Sequence, residues 1–147
     1  MKILTLLAAF LAATVNLTAA DKIQVDYDPM LTINITIDKI KAESSVASRT
    51  DHARNVAILI KNANICQAVP KLVSDLAALM QDRDDSVRYW IAIALSYLGP
   101  LAKDAIPALE RALQDKKDDM SSKSSASGIQ LALERIKAAK HPKNSEH

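Results

Sequence analysis

The sequence holds few of the residue types on which small chemical sites depend. Its 147 residues include two glycines, Gly99 and Gly128, together with one cysteine and three histidines. Two isolated glycines exclude a glycine-rich loop that cradles phosphate, and no Cys and His are spaced as zinc ligands. Neither a G-x-S-x-G element nor a spaced Ser/His/Asp set marks nucleophilic catalysis. We therefore expect no catalytic residue, no metal and no cofactor, and the chain is predicted not to be an enzyme.

The single thiol and the charge balance exclude two further classes. Cys66 cannot build an internal disulfide framework, so it is either buried, which we favour because free cysteine is often fully buried, or paired between chains. Lysine and arginine exceed aspartate and glutamate by two, giving a net charge of +2. This balance lacks the basic excess of nucleic-acid-binding proteins.

The first twenty residues have the pattern of a secretory leader. Met1-Lys2 is a short positive start, residues 3–15 are apolar, and small residues precede Asp21. An apolar run of this length is too short to span a bilayer comfortably, so the pattern predicts a signal peptide over residues 1–20 rather than an uncleaved anchor. The mature chain would be exported, to the periplasm or outside the cell, without stable membrane insertion.

Residues 68–99 are the most regular part of the chain. Apolar residues recur there at helical spacing before and after the polar break DRDDS, which predicts two helices. Pro70 suits the first turn of the first helix, and Gly99-Pro100 ends the second helix, since glycine accepts the left-handed conformation after a helix. The short break requires the two helices to fold back as an antiparallel hairpin.

Weaker copies of this hairpin flank it on both sides. The pattern A-x-P-x-L at residues 68–72 recurs at residues 105–109, around Pro107, and a helical apolar face lies 38 residues before that of the second helix. Because one hairpin cannot bury its own apolar face, repetition indicates a stacked array. The fold class predicted for residues 21–140 is all-α, a short α-solenoid of about three antiparallel helical hairpins.

The central unit resembles the HEAT repeat. Its pattern A-x-P-x-L, D-x-D-D-x-V-R and A-L-x-x-L-G is closest to the short HEAT-like type first noted in bilin lyases. The matching residues are Pro70, Leu72, Leu76, Leu79, Asp82, Val87, Arg88, Ala92, Ala94, Leu95, Leu98 and Gly99. The resemblance implies that Asp82 and Arg88 are structural, since Asp and Arg of successive units often bond across such stacks. The third unit has Ser125-Ala126 in place of Val-Arg, which indicates a terminal cap.

Three segments depart from the repeat. An N-terminal arm is predicted over residues 21–38, extended as far as Asp28-Pro29, and a helix is predicted somewhere within residues 31–46. The alternation of Ile33, Ile35 and Ile37 is typical of a strand, although no partner strand is evident. Residues 116–127 are predicted to be a polar loop, and residues 141–147 a flexible tail.

The aromatic residues carry the functional prediction. Three of the five, Tyr89, Trp90 and Tyr97, lie on the second helix of the central unit, where Trp90, Ile93 and Tyr97 form a stripe beside the core face. In HEAT-like stacks the second helices line the concave surface, so the resemblance implies an outward-facing stripe. Exposed aromatics mark interfaces. The alternative is that the N-terminal arm covers the stripe with its isoleucines.

Two functions from different classes follow from these observations. The first is a non-catalytic exported protein-binding module, an adaptor, inhibitor or immunity-like protein, that holds another protein through Tyr89, Trp90, Ile93 and Tyr97. The second is a chromophore or cofactor lyase-type subunit, as the bilin-lyase resemblance implies. A purely structural repeat protein with no dedicated partner is a third alternative.

Overall fold

The computed structural model describes residues 28–115 and 123–138, and these are helical apart from short turns. The chain forms, in order, α1 (Pro29–Ala42), α2 (Val46–Ala63), α3 (Pro70–Leu79), α4 (Asp85–Leu98), a 3-10 helix (Gly99–Ala105), α5 (Ile106–Gln114) and α6 (Lys123–Ala138). The predicted all-α fold of three helical hairpins is confirmed: α1/α2, α3/α4 and α5/α6. The predicted leader over residues 1–20 and tail over residues 141–147 lie outside the described residues.

The helix predicted within residues 31–46 is α1, which begins slightly earlier, at Pro29, and residues 21–27 of the predicted arm lie outside the described residues. Asp28 caps this helix: its Oδ1 accepts hydrogen bonds from the backbone N–H of Met30 at 2.8 Å and of Leu31 at 3.2 Å. Residues 29–38 are therefore helical, and the strand-like interpretation of the isoleucines is wrong. Ile33, Ile37 and Ile40 share one buried helical face, so burial against the rest of the stack overrides the β-propensity of isoleucine.

The central hairpin follows its sequence signals closely. Pro70 lies in the first turn of α3, and Pro107 does the same in α5. Asp84 caps α4, accepting from the N–H of Ser86 at 2.9 Å and of Val87 at 3.3 Å. Gly99 follows α4 with a φ of 53°, a backbone conformation that favours glycine, so the predicted end of the helix is confirmed.

The second helices of the three hairpins form a continuous row. Helix α4 lies in the middle and packs against both α2 and α6, while α1 packs on α2 and α3. We call α2, α4 and α6 the second-helix row. The 3-10 helix contacts α3, α4, α5 and α6 and fills the space between the central and last units. A single core results, in which α4 contributes Val87, Ile91, Leu95 and Leu98.

Two predictions about local structure are wrong. Helix α6 begins at Lys123, so residues 123–127 of the predicted polar loop are helical, and Ser125 is fully buried. Cys66, which we expected to be buried, is exposed in the turn between α2 and α3. That turn follows Asn64, whose left-handed backbone ends α2. Pairing of Cys66 between chains stays a prediction.

Candidate partner-binding site

Helix α4 has two apolar faces with different environments. Its core face is fully buried between the other helices. On its second face, the structure places Trp90, Ile93 and Tyr97 in one row along the helix, and we call these three residues the α4 stripe. Ile93 is buried and forms the floor of the stripe, Trp90 is half-buried, and Tyr97 is 40% exposed. The stripe therefore reaches the surface at the two aromatic rings.

Cations from both neighbouring helices lie over those rings. The guanidinium carbon of Arg54, on α2, lies 5.6 Å from the centroid of the Trp90 ring. Lys61 Nζ, also on α2, and the guanidinium carbon of Arg135, on α6, each lie 5.8 Å from the centroid of the Tyr97 ring. Such distances permit cation–π attraction. The α4 stripe is thus flanked on both sides by positive side chains of adjacent units.

The apolar character of this face continues onto α2. Ile58 lies four residues after Arg54 and three before Lys61, so the three side chains share one helical face. Ile58 is 46% exposed. Aromatic, aliphatic and cationic groups therefore alternate across α2 and α4. They lie on the side of the second-helix row where the α4 stripe is found. We call this surface, made of Arg54, Ile58, Lys61, Arg135 and the α4 stripe, the second-helix face.

Tyr89 has a different position from the other predicted binding residues. Its ring meets Trp90 edge-to-face, with centroids 5.3 Å apart. On its other side it packs on α6 at Gly128, where an added Cβ would lie 2.9 Å from Tyr89 Cδ2 and 3.2 Å from its carbonyl oxygen. Tyr89 therefore supports the contact between α4 and α6, and it backs Trp90 rather than forming part of the stripe.

The N-terminal isoleucines do not cover the α4 stripe. Ile33 and Ile37 are buried in α1, which packs against α2 and α3, and Ile35 is 48% exposed. The alternative in which these three residues fold over the stripe is therefore wrong. The isoleucines do not reach the stripe because the Asp28 cap starts a helix before them, and this helix directs two of them into the core.

Polar contacts near the helix turns connect the units. Arg49 of α2 reaches Asp82 with Nε 3.4 Å from Oδ2, so Asp82 bonds to the preceding unit as the resemblance implied. Arg88 instead bonds within its own unit, to the Asp82 carbonyl and to Asp85 Oδ1 at 2.8 Å. Ser125 Oγ of α6 donates to Asp85 Oδ1 at 2.5 Å. A charged link thus joins the first two units, and a hydroxyl joins the last two.

Sequence reasoning missed the cations Arg49, Arg54, Lys61 and Arg135. Arg49 precedes Arg88 by 39 residues, one more than the 38-residue step between the apolar faces of α2 and α4, so a search that tolerated one residue of drift would have found it. Arg54, Lys61 and Arg135 carry no such signal, because only the packing of α2 and α6 against α4 brings them over its aromatic rings.

Other chemistry is sparse in the described part of the chain. Across residues 28–115 and 123–138, no three His, Cys, Asp or Glu side chains cluster as metal ligands. A cleft of about 340 Å³ lies beside Cys66, lined mostly by apolar residues of α1, α2 and the turn that follows α2. No helix in these ranges combines the length and apolarity that crossing a membrane requires.

Comparison with known proteins agrees with this architecture. A family model described as HEAT repeats matches residues 42–130, more than half of the chain. The match runs from the end of α1 through the central hairpin into α6, and so includes α2, α4 and the first half of α6. No curated protein and no solved structure matches the sequence.

Proposed function

The chain belongs to the HEAT-repeat family, a helical-repeat fold suited to protein interaction, and from this we propose that it is a non-catalytic exported module that binds another protein. The binding surface in this proposal is the second-helix face, with Trp90 and Tyr97 as its anchors. An adaptor, an inhibitor and an immunity-like protein would each use such a surface.

The observation that carries the proposal is the composition of the second-helix face. Trp, Tyr and Arg are the residue types most enriched among those that dominate binding energy, and here Trp90, Tyr97, Arg54 and Arg135 lie together on adjacent helices. Helix α4 supports the two aromatic rings from a buried core face, so they are held in place before a partner arrives. Preorganised aromatic groups lose little conformational freedom on binding.

Export and the absence of catalysis rest on the sequence. The positive start, apolar run and small residues of positions 1–20 support a cleaved leader. The lack of nucleophile, phosphate-loop and metal-ligand patterns supports a role without chemistry. N-terminal sequencing of the protein recovered from its exporting host tests the first point, since a chain starting at Asp21 is the expected result.

Partner capture tests the binding surface. The mature protein, Trp90→Ala and Tyr97→Ala would be used as bait in the extracellular or periplasmic fraction of the source. We expect the native bait to retain one partner and each variant to weaken it by about thirtyfold, the effect of losing a 2 kcal/mol anchor. Ile35→Ala removes an exposed apolar side chain from α1 and is the matched control, expected to retain the partner.

Stability measurements separate binding from folding. Since Trp90 is half-buried, we expect Trp90→Ala to lower the free energy of unfolding by about 1–2 kcal/mol, less than truncation of a fully buried aromatic residue. The variant should keep its helical circular dichroism. Equal capture of the partner by native protein and by a folded Trp90→Ala/Tyr97→Ala double variant would refute the proposed surface.

A further inference from the structure

We propose that the segment bound by the second-helix face is an acidic protein segment with a central apolar side chain. This inference rests on the proposed function and specifies the chemistry of the partner. Carboxylates of the segment pair with Lys61 and Arg135 on either side of Tyr97, and the apolar side chain lies against Ile58 and Trp90.

The first support is a local excess of positive charge. Arg54 has an acidic partner, since its Nη2 lies 2.9 Å from Asp51 Oδ1. Lys61 and Arg135 form no ion pair with any acidic residue in the described part of the chain. Both are exposed. Two cations that pair with no acidic residue of ranges 28–115 and 123–138 therefore face solvent on the surface where the aromatic anchors lie.

The second support is how these cations are held. Each lies 5.8 Å from the centroid of the same Tyr97 ring, so they are no further apart than twice that distance. Arg135 also reaches Ser96 Oγ at 3.5 Å. Lys61 belongs to the first unit and Arg135 to the third, and α4 of the central unit brings them together. A segment lying across the row can therefore place two carboxylates around one ring.

The third support distinguishes a protein segment from other anionic ligands. Ile58 and Tyr97 are among the most exposed large apolar side chains in the described ranges, and their burial would favour an aliphatic or aromatic side chain of the occupant. A nucleic acid requires a broad basic surface, whereas the net charge of the whole chain is only +2. Charge and apolarity together match an acidic amphipathic segment.

The test uses selection followed by titration. Random peptides displayed on phage would be selected on the full mature chain after depletion on Trp90→Ala. We expect the recovered peptides to be enriched in Asp and Glu around an apolar residue. Because Trp90 is the only tryptophan, its fluorescence reports occupation of the face directly when the corresponding synthetic peptide is added.

Removing charge from the protein and, separately, from the peptide then identifies the contacts. Lys61→Gln/Arg135→Gln is expected to weaken binding of the peptide about tenfold, the effect of two exposed ion pairs. Replacing the peptide's acids with their amides should have the same effect, and the two changes combined should cost little more than either one alone. Lys39→Gln/Arg111→Gln removes one lysine and one arginine from α1 and α5, and this matched control should leave the affinity unchanged.

Each other outcome overturns the inference and identifies what fails. Selected peptides that are neutral or basic, with Trp90-dependent binding, would refute the acidic partner and leave the binding surface in place. Failure to recover any peptide above the Trp90→Ala background would refute the acidic segment, and the proposed surface would fall with it only if partner capture also proved insensitive to Trp90→Ala/Tyr97→Ala. Binding of anionic phospholipid vesicles or a single-stranded oligonucleotide more tightly than any peptide, and equally sensitive to Lys61→Gln/Arg135→Gln, would assign the face to that ligand instead.

Discussion

The second-helix row has two contacts between neighbouring helices, α2 with α4 and α4 with α6, which we call its first and second joint. The two joints are built from different chemistry. Between α2 and α4, Arg49 reaches across to Asp82, with side-chain exposures of 6% and 13%. Between α4 and α6, Gly128 lies directly against Tyr89, and the Ser125 hydroxyl bonds to Asp85. At the first joint a long charged side chain bridges the two helices. At the second joint short side chains let the two helix backbones lie close together. Equivalent helix contacts in one stack can therefore be secured by charge or by steric fit.

The short residues of the second joint depend on one another. A serine hydroxyl reaches a carboxylate on the next helix only when the two helices lie close, and glycine permits that approach because it has no Cβ. At the first joint the long guanidinium spans the gap instead. The second-helix face spans the same three helices, since Lys61 comes from α2, Tyr97 from α4 and Arg135 from α6.

The largest effect is expected from removing the charged joint. Arg49→Met keeps the length of the side chain but leaves Asp82 without its cation, and we expect a loss of about 2–3 kcal/mol in the free energy of unfolding. This loss is slightly smaller than the usual loss when a buried charge is left without its partner. It is smaller because Asp82 keeps some exposure and a 2.8 Å hydrogen bond from the N–H of Asp84. Urea denaturation followed by circular dichroism measures it.

A second variant tests the cause of that loss. In Arg49→Met/Asp82→Asn the amide oxygen still accepts from Asp84 and no charge is left unpaired, so the double variant should be more stable than Arg49→Met alone. If the double variant is instead less stable, the cost comes from packing around Asp82, and the contrast between a charged and a steric joint would not hold.

The second largest effect concerns the steric joint. Gly128→Ala places a methyl group 2.9 Å from Tyr89 Cδ2 and 3.2 Å from the Tyr89 carbonyl oxygen. We expect a net loss of about 1–2 kcal/mol, because overpacking outweighs the gain of about 1 kcal/mol that alanine brings to a helix. In the Tyr89→Ala background the ring contacts are absent, so the same substitution should cost less. An equal cost in both backgrounds would contradict the proposed fit.

The difference between the joints also marks the limit of sequence reasoning. Pro70, Val87, Leu95 and Gly99 could be assigned from local patterns, since caps, breaks and helical periodicity are set within a few residues. The three hairpins followed from repetition of those patterns. Gly128 has no local signal for its role, because the role depends on the distance between α4 and α6, which only the packed stack determines.

The candidate site likewise has one part that local sequence patterns predict and another that only the packing of the helices determines. Trp90, Ile93 and Tyr97 were placed on one face by their spacing, and the structure puts them there. The cations over them were missed, since they come from helices about 35 to 40 residues away in sequence. Cys66 is exposed although composition favours a buried thiol, whereas the isoleucines with strand-like spacing lie in α1, where a helix is the predicted structure.

A third prediction removes the polar contact of the steric joint. Ser125→Ala deletes the 2.5 Å hydrogen bond to Asp85 Oδ1 and keeps the 3.3 Å bond from the Ser125 backbone N–H to Oδ2. Since hydrogen bonds to charged groups contribute about 1.5 kcal/mol and alanine has the higher helix propensity, we expect a net loss of about 1 kcal/mol. Ser74→Ala, at an exposed position of α3, is the matched comparison. A loss as large as that of Arg49→Met would mean that the second joint is also held mainly by charge.

The smallest effect is expected at a surface link between α1 and α3, away from both joints. Asp75 Oδ1 lies 2.9 Å from Lys41 Nζ, and Oδ2 lies 2.6 Å from Lys71 Nζ. These two ammonium groups hold the pKa of the Asp75 carboxyl below its ordinary value of 3.8, and the hydrogen bond from Lys41 makes the largest contribution. A folded-state pKa below the unfolded one stabilises the fold above the unfolded pKa, and this stability is lost as the pH falls through the folded pKa.

Asp75→Asn should therefore lower the free energy of unfolding by about 0.5 kcal/mol at neutral pH, because both lysines are exposed and solvent screens the pair. The difference from the native protein should shrink as the pH falls below the ordinary carboxyl pKa of 3.8 and disappear only below the lower folded-state pKa. Urea midpoints measured at several pH values, with Asp104→Asn as the exposed acidic control, test this. A difference that persists in acid would show that Asp75 contributes through packing and not through its charge.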